Sequence, residues 1–132
     1  MIHWWPEPTA GDIVWCFYPT PEPKFRPALV LAVFDENAPK FEVKVAYGTS
    51  QKTDRLFAGE FVIQKEKQQA AYAAAGLSYT TKFNFNRTRV LPFNSDFFTA
   101  PPNPRFGNTP KLGLLHPSMM ATAQAAHSAS IA

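Results

Sequence analysis

The sequence predicts a mainly β protein: a small, partly open β-barrel of five or six short strands with one or two short helices. Three observations carry this. The stretch Pro27–Phe34 is apolar without a break, the pattern of a strand covered on both faces. It is far too short to span a bilayer, which takes roughly 20 apolar residues. Residues 41–47 alternate, with Phe41, Val43, Val45 and Tyr47 on one side and Glu42 and Lys44 on the other, as in a half-buried antiparallel strand. Finally, 13 prolines in 132 residues fit short strands joined by constrained turns better than a helical bundle.

Each element follows from local chemistry. Trp4, Trp5, Pro6 and Pro8 make an extended arm, whose indoles are expected to cap the barrel end rather than form a contact surface. Gly11-Asp12 turns into a strand at Ile13–Tyr18, rich in β-branched and aromatic residues. Residues 19–23, PTPEP, stop that strand and form a short, stiff link. Pro27 then opens the central strand, where no ladder donor is needed. Lys24 and Arg26 sit just outside its apolar run. After the turn cluster at 35–39, Gly48 closes the third strand and opens the loop 49–55. A further strand runs from Gly59-Glu60 to about Gln64. Residues 65–75 are strong helix formers and Gly76 suits the position past a helix end. That helix, mostly Ala plus Tyr72, is expected to pack thinly on the surface. Thr80 to Phe85 and Thr88 to Leu91 read as two strand runs with Asn86-Arg87 between them, and Ser95 as the cap of a short terminal helix. Residues 1–100 thus form the barrel domain, and 101–132 an extended C-terminal arm and partly disordered tail.

Composition narrows the function classes. A chain of 132 residues is one domain, and 12 Phe with 17% charged residues exclude a disordered chain. The net charge is +3, with eleven Lys and Arg against five Asp and Glu from residue 38 onward. That balance permits a polyanion partner without demanding one. The single Cys16 excludes an intramolecular disulfide and a Cys-rich metal site, and reads as a small buried hydrophobe. His3, His116 and His127 lie in the terminal arms, so neither a His-pair ribonuclease mechanism nor a His-built zinc site is expected. No phosphate-loop, dinucleotide or nucleophile-elbow motif is present. Neither metal nor cofactor is expected. The segment MIHWWPEP has no basic region followed by an apolar run, so the expected location is the cytoplasm, away from membranes.

The chemistry concentrates at Arg26 and at the GTSQ stretch that follows the third strand. If the second and third strands are neighbours, Arg26 and Thr49 approach each other. A guanidinium, the Thr49 and Ser50 hydroxyls, the Gln51 amide and loop N–H groups suit a phosphodiester and the charge that develops on it during transfer. Lys52, Arg55, Lys82, Arg87 and Arg89 extend a basic path for a single strand, with Phe or Tyr rings for base stacking. A plainer reading stays open beside this one: Arg26 pairs with a carboxylate such as Glu22 or Asp12, and TSQ is only a turn.

The order GDIVW, RPALVLAV, YGTSQ, EFVI and AGLSYTTKFNFNRTRVLP, over about residues 11–92, resembles the MazF/PemK family of toxin endoribonucleases. The resemblance implies an SH3-like barrel of the MazF/PemK/CcdB type, usually a homodimer, that cuts single-stranded RNA without a metal and is restrained by an antitoxin protein. By the same resemblance the ribose 2′-hydroxyl attacks the adjacent phosphate, leaving 2′,3′-cyclic phosphate and 5′-hydroxyl ends. Arg26 would clamp the phosphate, with Thr49 and Ser50 holding its oxygen. Arginine stays charged at ordinary pH, so Arg26 ranks as an electrostatic stabiliser before a proton carrier. Two departures stand out. A basic residue and an acid assist catalysis in some members, and here that pair reads Lys82 and Asn84, whose amide cannot shuttle a proton. The Pro-rich link, which helps gate RNA access in the family, is short. Two other readings are therefore kept: a catalytically inactive barrel of this type that binds and inhibits a protein or nucleic acid, and an unrelated barrel adaptor that recognises peptides through its aromatics.

Overall fold

The computed structural model describes residues 1–18 and 23–130. These hold six strands, β1 (Asp12–Tyr18), β2 (Lys24–Phe34), β3 (Glu42–Thr49), β4 (Glu60–Ile63), β5 (Thr81–Pro92) and β6 (Lys111–Leu114). There are two short helices, α1 (Gln69–Ala75) and α2 (Met120–Ala129), the second entered through a 3-10 turn at Pro117–Met119. The strands form one antiparallel sheet in the order β4-β5-β3-β2-β1-β6, curled into a half-barrel. The mainly β, partly open class is the one expected. Among the described residues no helix is long and apolar enough to cross a membrane.

β2 lies between β1 and β3, and its side chains feed two cores. Ala28 and Val30 join Val14, Cys16, Val43 and Val45 on one face, while Leu29 joins Ile13, Ala46, Phe61 and Phe83 on the other. A strand with both faces dry must be apolar at every position, which is why this run does not alternate. β3 sends Val43, Val45 and Tyr47 to the first core, as its alternation implied. Its other face is drier than expected at Ala46, which is fully buried in the second core. Trp5 closes the first core and donates its indole N–H to the Phe98 carbonyl at 2.9 Å. It is thus a capping indole. The outer edge of β1 is covered by β6 at one end and by the turn through Phe97 at the other, where the Phe17 N–H donates to the Phe97 carbonyl at 2.7 Å. A covered edge offers no template for a foreign strand.

Four expectations need correction. The two runs around Asn86-Arg87 are one strand, β5, bent at a bulge. Ala46 faces Thr88 but Tyr47 faces Asn84, so Phe85, Asn86 and Arg87 are extra. The Asn84 Oδ1 accepts the Asn86 N–H at 2.8 Å and fixes that bend. α1 begins at Gln69, not Lys65, and it does not pack thinly. Its Ala71 and Ala75 are buried, and a Cβ on Gly113 of β6 would collide with the backbone of Ala74 and Ala75. Ser95 caps no helix. Its hydroxyl accepts the His3 N–H at 2.8 Å, while Asn94 Oδ1 organises the turn by accepting the Asp96 N–H at 2.9 Å. Finally, residues 111–114 and 120–129 are not an extended arm. They are β6 and α2, and Met119, Ala123 and Ala126 complete the second core. KLGL is too short to read as a strand, and a helix that buries only alanines shows little apolar periodicity.

Candidate functional site

β2 and β3 bring the main candidates together. Their register pairs Ala28 with Tyr47, so Arg26 and Thr49 follow two residues further along on facing strands. Arg26, Thr49 and Ser50 line one cavity of about 290 Å³ at the strand ends. Gly48 is what lets the two strands close here. A Cβ at that position would meet the Pro27 carbonyl and the Phe83 ring, and every other residue carries one. Aromatic residues complete the cavity: Trp15 from β1, Phe25 from β2 and Tyr79 from the loop after α1.

Arg26 is only 4% exposed. It lies opposite Cys16 and its Nη1 donates to the Tyr47 hydroxyl at 2.7 Å. That neutral hydroxyl helps fix the guanidinium at the rim of the sheet core. Of its two expected carboxylate partners, Asp12 is engaged elsewhere, by the Thr9 N–H at 3.0 Å and Lys111 at 3.4 Å. Glu22 and most of the Pro-rich link lie outside the described residues. Tyr47 carries a second cation, with the Arg87 guanidinium 5.4 Å from its ring centre. The β5 bulge delivers Arg87 to that position, since without the extra residues it would stand elsewhere along β3.

The remaining candidates split into two groups. Gln51 and Lys52 sit in the exposed turn beside the cavity, where the Thr49 hydroxyl accepts the Gln51 N–H at 3.1 Å. Lys52 there takes a left-handed φ of 51°. Lys82 pairs with Thr49 across β3 and β5 but is buried. Its ammonium is held by Glu60 at 3.0 Å and by the Arg55 carbonyl at 2.9 Å. The exposed Arg55 folds over Phe57, 5.9 Å from its ring centre. Asn84 serves the bulge. Lys82 and Asn84 are thus committed to internal structure, while Arg26, Thr49 and Ser50 share a cavity.

Glu60, Tyr47, Trp15, Phe25 and Tyr79 were not singled out from the sequence. Glu60 and Tyr47 gain their roles from partners 22 and 21 residues away, and the rings from strand register. The one available signal was the density of aromatics in β1 and at the start of β2. Burial pushes the Cys16 thiol and the Tyr18 phenol well above their ordinary ranges, which keeps both neutral and Cys16 unsuited to nucleophilic work. Among the described residues no three His, Cys, Asp or Glu side chains gather as metal ligands. No family model matches this chain, and no curated protein matches it.

Proposed function

We propose that the protein is a toxin-type endoribonuclease related to the MazF/PemK family, cutting single-stranded RNA without a metal. The observation that carries this reading is that Arg26, Thr49 and Ser50 line one cavity at the ends of β2 and β3, beside three aromatic rings. In this reaction the ribose 2′-oxygen gives its proton to solvent water and bonds to phosphorus. The bond from phosphorus to the 5′-oxygen breaks, and that oxygen takes a proton from water and leaves as a hydroxyl. The protein's part is to hold the phosphate and stabilise its growing negative charge. A rigid, always-charged guanidinium and adjacent hydroxyls do this without reorganising. The SH3-like barrel, the homodimer, the antitoxin that would cover the RNA groove and the cytoplasmic location belong to the same proposal.

The test is incubation of purified protein with a long single-stranded RNA in EDTA, beside Thr49→Ala and Arg26→Ala variants whose folding is checked by circular dichroism. Wild type is expected to leave 2′,3′-cyclic phosphate ends. Loss of a preorganised donor lowers the rate roughly a hundredfold or more. No cleavage of several RNAs by folded protein sinks the enzyme reading.

A second reading, an inactive barrel that binds and inhibits its target, is favoured by specific contacts. The Arg26 head is seated on Tyr47, Lys82 is neutralised by Glu60, and Asn84 replaces an acid. Growth arrest on expression that persists in Arg26→Ala would support it.

A further inference from the structure

The cavity beside Thr49 carries more than a phosphate needs. Phe25 is 36% exposed and Tyr79 70%. Trp15 and Phe25 lie nearly parallel in a stacked pair, with planes 17° apart and ring centres 6.1 Å apart. Phe17 braces it from the side by standing edge-on to Phe25 at 5.4 Å. Tyr79 reaches the same cavity from the loop after α1, where its carbonyl accepts the Thr81 hydroxyl at 2.8 Å and anchors the backbone. None of these three residues, Trp15, Phe25 and Tyr79, belongs to either core cluster. Preorganised aromatic faces left open to solvent are the means by which proteins hold unstacked bases, since every base has a π-face.

We propose that Trp15, Phe25 and Tyr79 form a base-stacking subsite that holds one unstacked nucleobase of single-stranded RNA beside Thr49 and Ser50, biasing which nucleotide lies at the reacting phosphate. Only the identity of the adjacent phosphate as the reacting one rests on the nuclease reading; binding does not. A cavity of about 290 Å³ is at the small end of ligand sites, suited to one base and not to a stacked run. Double-stranded RNA, whose bases stay paired, is excluded from it.

The experiment uses uncleavable probes: fluorescein-labelled 2′-O-methyl RNA octamers of A, C, G and U, titrated by anisotropy against wild type, Phe25→Ala, Tyr79→Ala and Trp15→Phe. Phe106→Ala, whose exposed ring lies outside the cavity, is the control. We expect wild type to bind at least one octamer and to rank the four. Phe25→Ala and Tyr79→Ala weaken that binding about tenfold each and flatten the ranking. The loss is the same at low and high salt, because stacking releases no counterions. Binding quenches tryptophan fluorescence in wild type and not in Trp15→Phe. Equal affinity and ranking in wild type and both alanine variants overturns the subsite, even if wild type cuts RNA in EDTA. Failure of wild type to bind any octamer overturns it too. Ring-dependent binding without cleavage upholds the subsite and defeats the nuclease reading instead.

Discussion

Arg26 is a charged side chain set into the rim of a sheet core, and its surroundings decide what substitutions there do. The hydrogen bond from Nη1 to the Tyr47 hydroxyl is short, at 2.7 Å, and buried. Tyr47→Phe keeps the ring but removes this hydrogen bond to a charged group, so we expect a loss of about 1.5–3 kcal/mol in urea unfolding. The Lys82–Glu60 pair is more demanding, because both side chains are 6% exposed. Glu60→Gln leaves an ammonium buried without its counter-charge, and we expect roughly 3 kcal/mol of destabilisation. The double change Glu60→Leu with Lys82→Met should cost far less, and the contrast in chemical denaturation checks it. Cys16 and Tyr18 give a pH dependence. Both are held neutral by burial when folded, whereas in the unfolded chain the thiol ionises above about pH 8.5 and the phenol above about 10. Stability from these groups is full below those values and falls as pH rises past them. The slope approaches about 1.4 kcal/mol per pH unit for each group. Cys16→Ala should remove the earlier part of the fall, read from unfolding midpoints across alkaline pH.

The elements differ in how closely they are fitted. β2 and β3 meet so tightly at Gly48 that a methyl group would strike the Pro27 carbonyl and the Phe83 ring. Gly48→Ala should destabilise by about 1–3 kcal/mol and distort the strand ends that carry Arg26 and Thr49. Thermal unfolding and RNA binding measured together would show both effects. α2 supports the second core from the far end of the chain, and Met119 just ahead of it is 2% exposed. Met119→Ala should cost about 2–5 kcal/mol in urea unfolding. An unstructured tail would tolerate the same change without effect. The strands β1 to β4 were readable to within a few residues because each carries its burial pattern locally. β6 and α2 were not, since four residues and a row of alanines acquire meaning only from the surfaces they meet.

At the scale of the whole molecule, the sheet arranges charge. Most of the basic residues come after residue 38, and β5 carries Lys82, Arg87 and Arg89 alongside β3. Their fates diverge: Lys82 is internally neutralised, whereas Arg87 is exposed beside Tyr47. If single-stranded RNA follows the exposed cations, its affinity should fall steeply with salt, and Arg87→Ala should reduce that slope by about one phosphate contact while Lys82→Met leaves it unchanged. Titration of an uncleavable RNA at several salt concentrations reads this directly.

The amino-acid sequence alone shows a β protein built on a doubly buried central strand, because an unbroken apolar run and an alternating neighbour are local patterns set by which faces are dry. It also placed Arg26 and Thr49 at the mouth of that strand and its neighbour. Which cations are exposed and which are neutralised depends on long-range packing, since Lys82 and Arg87 look alike until Glu60 and the β5 bulge are in place. The same packing gathers Trp15, Phe25 and Tyr79 around one cavity. Strand register and a loop from another part of the chain set those distances, and neither is written in any local stretch of residues.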